Sequence, residues 1–266
     1  MIQTNSYITM LGTGNASVTR CYNTCFTLNG SDGSQLLVDA GGGNGILSQL
    51  EKAGIRREGI TDLFVTHTHT DHLLGCIWMM RMALQRHNHL RVWSHRKVID
   101  SLIDICRQVL PSKDTKGIGS IVEMRQLENG DRFEVGEIQL QSFDILSTKE
   151  VQFGFSAVLP GGQSLCCLGD EPFNEGCRKY AEDADWLMSE AFCLYEDRDR
   201  FHPYEKYHST VLDSARQAES LHVRNLILYH TEDRTLDTRR ERYTAEAKSV
   251  FSGNVIVPDD LEKIIL

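Results

Sequence analysis

No apolar run in this 266-residue chain approaches the ~20 residues needed to span a bilayer, so no membrane partner is expected. Proline is scarce, with 5 residues, and no Pro/Ser-rich linker, low-complexity tract or internal repeat divides the sequence. The chain therefore reads as one domain over residues 1–266. Its start, Met1 to Ser6, lacks the basic residues and apolar core of a signal peptide, and the expectation is a cytoplasmic protein. Among eight cysteines there is no C-x-x-C pair, which argues against a zinc ribbon or a redox motif. Cys166 and Cys167 are adjacent within an apolar run, and reduced cysteines serving as small buried hydrophobes are expected. A basic excess is missing too: 28 Lys and Arg against 37 Asp and Glu give a net charge of −9. Holding a long polyanion ordinarily takes a basic face, so this balance favours small substrates over long nucleic acid.

What the chain does have is histidine in one place. His67-Thr-His69-Thr-Asp71-His72 puts four metal-ligand side chains into six residues, directly after the apolar run Leu63-Phe64-Val65. Such a run ending in Thr66 reads as a buried strand, and the histidines then fall where the chain turns and side chains can converge. Imidazole and carboxylate suit borderline and hard divalent cations. One turn of this kind can serve two ions, His67 and His69 on the first, Asp71 and His72 on the second.

Strand-like runs and helical patterns alternate at both ends of the chain, with hairpin signals at residues 29–33 and 128–131. Two sheets packed face to face with helices outside accommodate that order. A helix is expected from Arg96 to Val109, with Ser94 as its cap, and another over Phe173 to Asp183. Asp170 follows the run Leu165 to Leu168, and His230 ends Leu226 to Tyr229, each repeating a buried strand with a ligand at its tip. His208 precedes a helical pattern that Ser209 or Thr210 can cap, and an imidazole beside a metal site suits proton transfer to a leaving oxygen. Asp39, at a strand end before three glycines, is placed to support a ligating histidine. His87 and His89 end a helical pattern and are left outside the site. The stretch Tyr195 to Tyr207, rich in charge and aromatics, reads equally as a substrate-facing lid or a solvated loop.

Together these residues resemble the metallo-β-lactamase superfamily and, within it, the ribonuclease Z-like branch. The resemblance runs from Leu11-Gly12-Thr13-Gly14 through Leu37 to Gly41, and centres on Thr66 to Gly75. It continues with Leu168-Gly169-Asp170, Ser189 to Phe192, His208-Ser209-Thr210 and Leu228-Tyr229-His230. It implies an α/β fold, a four-layer αββα sandwich with two divalent ions at one edge of the sheets. His67 and His69 would hold one ion, Asp71, His72 and His230 the other, with Asp170 as the bridge. The same resemblance makes Asp71 the base for the attacking water, His208 a catalytic residue and Glu190 its orienting neighbour. A hydroxide generated on the metal would attack phosphorus.

The chain departs from that pattern in three ways. The third histidine of the first ion is missing, since no histidine lies between His95 and His202. Asp144, at the matching strand end, is the expected substitute, and Glu150 the weaker alternative. Three carboxylates on two ions would shift preference from zinc towards manganese or iron; otherwise the first ion binds poorly and the enzyme is mononuclear. Only Ala157 to Leu168 separates the strands where the long ribonuclease Z arm would emerge, and Ser189 stands where the branch has a histidine.

The leading expectation is a metal-dependent hydrolase, a phosphodiesterase acting on a small-molecule or exposed phosphodiester. Ribonuclease Z-type transfer-RNA 3′ processing is the alternative, with a non-catalytic metal or ligand sensor and a redox di-iron protein behind it. Nucleic acid is not the favoured partner, and a homodimer remains an open assembly.

Overall fold

The computed structural model describes residues 5–266; the first four residues, on which the reading of the amino terminus partly rests, lie outside it. Strands β1 (Tyr7–Gly12), β2 (Cys25–Asn29), β3 (Gln35–Val38), β4 (Asp62–Phe64), β5 (Leu90–Ser94) and β6 (Val122–Gln126) form one sheet. Strands β7 (Arg132–Val135), β8 (Ile138–Asp144), β9 (Phe153–Val158), β10 (Ser164–Cys167), β11 (Trp186–Glu190), β12 (Asn225–Tyr229) and β13 (Asn254–Ile256) form the second. The last strand, β14 (Lys263–Ile265), returns to the edge of the first sheet beside β1. The helices are α1 (Gly45–Lys52), α2 (Thr70–Arg86), α3 (Arg96–Val109), α4 (Ser112–Thr115), α5 (Arg178–Ala181), α6 (Arg198–Phe201), α7 (Val211–Ser220) and α8 (Leu236–Lys248).

Each sheet is antiparallel at one end and parallel at the other: β3 to β6 run parallel in the first, β10 to β13 in the second. Parallel neighbours need crossovers, and helices supply most of them, which lays helices on the outer faces. Ligand-bearing residues in such sheets collect beyond the carboxyl ends of the parallel strands. Between the sheets, Phe64 stacks on Phe133 at 6.0 Å and meets Phe155 edge-on at 5.3 Å, amid Met10, Phe26, Val38, Leu165, Met188 and Tyr229. Burying each such side chain contributes about 1.5–3 kcal/mol. Separate apolar layers seat α1, α2 and α3 on the first sheet and α5, α7 and α8 on the second. This is the expected αββα sandwich.

Several local expectations change. The Phe173–Asp183 helix shrinks to a short turn at Glu175–Cys177 followed by α5. Ser94 does not cap α3: its hydroxyl donates to the Val65 carbonyl at 2.6 Å, and His95 occupies the cap position. Thr210 does cap α7, in a reciprocal pairing with Asp213. All eight cysteines are free and seven are buried. Among the described residues no helix is long and apolar enough to cross a membrane.

Gly75, in the second turn of α2, lies against the loop after β3, its amide donating to the Gly41 carbonyl at 2.8 Å. A β-carbon there would collide with the Ala40 carbonyl oxygen, which is backbone and cannot swing aside. Gly75→Ala is therefore expected to cost about 3 kcal/mol or more in urea denaturation, the upper end for overpacking. An unchanged unfolding midpoint would contradict this contact.

Candidate metal centre

Three strand ends share one device. After β3, β10 and β12 the chain enters the left-handed region, at Asp39 (φ 53°), Gly169 (φ 68°) and His230 (φ 58°). For residues other than glycine this conformation is uncommon and costs energy, and it clusters where function needs a side chain re-aimed. Each turn halts its strand and points a polar group at the same edge of the sandwich. Tyr229 reinforces the second turn, its hydroxyl donating to the Gly169 carbonyl. The fourth contribution comes from the loop after β4 and the first turn of α2, where His69 takes the cap position.

There the structure brings together His67, His69 and Asp170, and beside them Asp71, His72 and His230; in each trio the donor atoms lie within 4.8 Å of one another. Asp170 is central. Its Oδ2 lies 3.6 Å from Nε2 of His67, of His72 and of His230 alike. Asp71 Oδ2 stands 3.3 Å from His72 Nε2. His67, His72, Asp170 and His230 are all almost fully buried. Yet His67 Nε2, His72 Nε2 and Asp170 Oδ1 have no hydrogen-bond partner, a costly state for buried polar atoms. Two donors bound at about 2.0–2.1 Å to one tetrahedral cation would be roughly 3.3 Å apart, close to the spacings observed. The donor set of imidazoles and carboxylates therefore fits divalent cations.

The outer nitrogens are anchored. His72 Nδ1 lies 2.7 Å from Asp39 Oδ2, and the second Asp39 oxygen accepts from the Thr66 amide at 2.8 Å. Thr66 Oγ1 links Asp39 and His67 Nδ1, and His230 Nδ1 meets Thr24 Oγ1 at 3.2 Å. Such contacts leave each Nε2 facing inward. Burial holds the His67 pKa well below the ordinary histidine range and takes His230 down to about 3, outweighing the nearby carboxylates. Neutral imidazole is the form that binds metal. His72 is the exception: burial opposes its protonation, but Asp39 and Asp71 raise its pKa well above that range. For Asp170, burial pushes the pKa up and the three histidines push it further down, so it stays ionised.

His208 lies beside the cluster, its ring 5.2 Å from His230 and stacked on Phe192. Its Nδ1 is 3.5 Å from Oε2 of the fully buried Glu190, at the end of β11, and Glu190 Oε1 accepts from the Ser209 amide. Burial disfavours the His208 imidazolium, and the Glu190 carboxylate more than offsets this, raising its pKa.

Asp144 departs from expectation. It stays out of these trios and of a third formed by Asp170, His208 and His230, its Oδ1 accepting from the Leu146 amide at 2.8 Å at the end of β8. The loop that follows returns to bring Glu150 Oε1 to 3.1 Å from His69 Nε2, its one approach to the cluster, since Glu150 too lies outside the trios.

Two contributors were not foreseen. Glu171 accepts from Ser147 Oγ and Gln152 Nε2, both at 2.8 Å, and pairs with Lys149, pinning the 145–152 loop over the site. A carboxylate following Asp170 was the available signal. Arg239 is fully buried and donates to Thr13 Oγ1 (3.1 Å) and Thr231 Oγ1 (2.7 Å), tying α8 to the turns around His230. On a polar helix it reads as a surface residue, so nothing in the sequence marked it. The Tyr195–Tyr207 stretch folds into short helical turns, and Tyr204 lines a cleft of about 250 Å³ with Pro172, Phe173 and His208.

The sandwich is the metallo-β-lactamase fold, with a candidate metal cluster at one edge. A family model described as "Anti-Pycsar protein Apyc1" matches residues 6–251, so the chain belongs to that family. It is 28% identical to a ribonuclease Z of Gemmatimonas aurantiaca, the match covering 87% of each chain. In structure it resembles the metallo-β-lactamase fold protein YhfI of Bacillus subtilis, with a TM-score of 0.76 and 18% identity over 97% of this chain and 98% of that one. Human tRNase Z, short form, gives a TM-score of 0.72 and 21% identity over 97% and 98%.

Proposed function

We propose that this protein is a metal-dependent phosphodiesterase acting on a small or exposed phosphodiester. One observation carries the reading: three buried imidazole nitrogens stand 3.6 Å from a single carboxylate oxygen, with two of those nitrogens and the other Asp170 oxygen unpartnered. Two divalent cations, of zinc, manganese or iron, held by His67, His69 and Asp170 and by Asp71, His72, His230 and Asp170, would polarise a phosphoryl oxygen and lower the pKa of a water. Asp71 is placed to take the proton of that water. His208, oriented by Glu190, hands a proton to the leaving oxygen from the edge of the cleft it shares with Tyr204.

The small-substrate preference rests on charge and on shape. The chain carries a net charge of −9. β9 and β10 are joined by a tight turn in which the Leu159 amide donates to the Gln163 carbonyl, with no room for a protruding arm. Against this, the ribonuclease Z likeness over 87% of both chains favours transfer-RNA 3′ processing as the second reading.

Cyclic nucleotides, bis(p-nitrophenyl) phosphate and a precursor transfer RNA, assayed side by side with and without chelator, separate the two. Chelator-sensitive hydrolysis of the small diesters is expected. Cleavage of the RNA alone would make the second reading correct, and turnover of no ester would overturn both.

A further inference from the structure

We propose that Glu150 is the third protein donor of the first cation position, taking the place where the ribonuclease Z-like pattern has a histidine. This rests on the two-cation reading above and assigns a residue that the reading leaves open. The 145–152 loop joins β8 to β9 and is closed at its base by the Ile145 amide donating to the Gln152 carbonyl at 3.0 Å. Glu171, next to the central Asp170, grips the loop through Ser147, Lys149 and Gln152. Glu150 is thereby held against the histidine turn with its side chain 9% exposed.

Its two oxygens have different surroundings. Oε2 accepts from the Thr68 hydroxyl and from Lys97 Nζ at 2.6 Å. Oε1 is buried and makes no hydrogen bond, although His69 Nε2 stands 3.1 Å away. That separation is near the roughly 3.3 Å edge between two ligands of one tetrahedral cation. A buried carboxylate oxygen left unbonded beside a metal-ligating nitrogen, with its partner oxygen tied down on the far side, is a preset ligand. Lys97 also answers the charge problem of replacing a neutral imidazole by a carboxylate, because its ammonium compensates the added negative charge from outside the cage. Asp144 shows no comparable approach to His69: it lies outside the trios, and its Oδ1 accepts from the Leu146 amide.

The test is metal binding by the chelator-stripped full chain, read by calorimetric titration with Zn²⁺ and with Mn²⁺ and by metal analysis after desalting. Wild type is expected to take up two equivalents. Glu150→Ala should keep one and weaken the other by roughly 100-fold or more, at least the loss seen when a ligand's supporting contact is removed. Asp144→Ala should keep both. Glu150→His should restore the second equivalent, with Zn²⁺ gaining on Mn²⁺ as a softer donor replaces a hard one. Circular dichroism checks that each variant is folded. Two equal equivalents in Glu150→Ala, or loss of one in Asp144→Ala, would overturn the assignment while leaving the two-cation reading intact. A wild type that binds no cation would overturn the reading itself, so the two failures are distinct.

Discussion

Asp170→Asn is expected to lower kcat/KM on small phosphodiesters by about four orders of magnitude, or roughly 5 kcal/mol of transition-state stabilisation. The substitution keeps the shape of the side chain and removes its charge. Among the described residues Asp170 is the one carboxylate 3.6 Å from each of His67, His72 and His230, so it alone can balance all three imidazoles. An amide in its place presents an N–H towards nitrogens that must face a cation. Metal analysis of Asp170→Asn should accordingly find neither position filled, while circular dichroism remains that of the folded protein. Wild-type turnover in this variant would refute a bridging role.

The second large effect separates proton transfer from metal binding. His208→Ala should lower kcat by about 10²–10⁴, the usual range for loss of a positioned acid, with metal content unchanged. The companion variant Glu190→Gln tests how His208 is tuned. Because Glu190 outweighs burial and raises the His208 pKa, removing its charge lets burial dominate and lowers that pKa. A leaving-group acid works while protonated, so activity falls as pH rises through its pKa. The alkaline limb of the pH–rate profile should therefore move to lower pH in Glu190→Gln. A limb that stays in place, with kcat reduced, would mean that Glu190 only fills space beneath the Ser209 amide.

Most of the cluster could be found in the sequence because its residues sit where a buried strand stops. The H-x-H-x-D-H turn, Asp170 and His230 all follow apolar runs, and a strand end before a tight turn leaves its side chain few places to point. Asp144 satisfies the same rule, at the end of β8, yet it lies outside the trios. A carboxylate one residue into a turn can bond its own backbone two residues on, and Asp144 does so at Leu146. Glu150 sits in mid-loop with no periodic neighbourhood, and its position depends on Glu171, which comes from a distant strand end.

Some fold elements carry little pattern of their own. β7 (Arg132–Val135) and β14 (Lys263–Ile265) are three or four residues long and mix charge with apolar residues. Their strand state comes from pairing with β8 and β1, not from their own pattern. The Phe173–Asp183 helix is interrupted because Asn174 turns the chain, its side chain accepting from the Gly176 amide at 2.9 Å. Arg239 was hidden by composition, since only the converging turns around His230 give a buried guanidinium its partners.

Paired cations sharing Asp170 would be seen directly by anomalous diffraction from crystals grown with Mn²⁺ or Zn²⁺. Two anomalous peaks are predicted, about 3.5–4 Å apart, one on each side of the Asp170 carboxylate. The first should touch His67, His69 and Glu150, the second Asp71, His72 and His230. Peaks elsewhere, or none at this edge of the sandwich at saturating metal, would contradict that pairing.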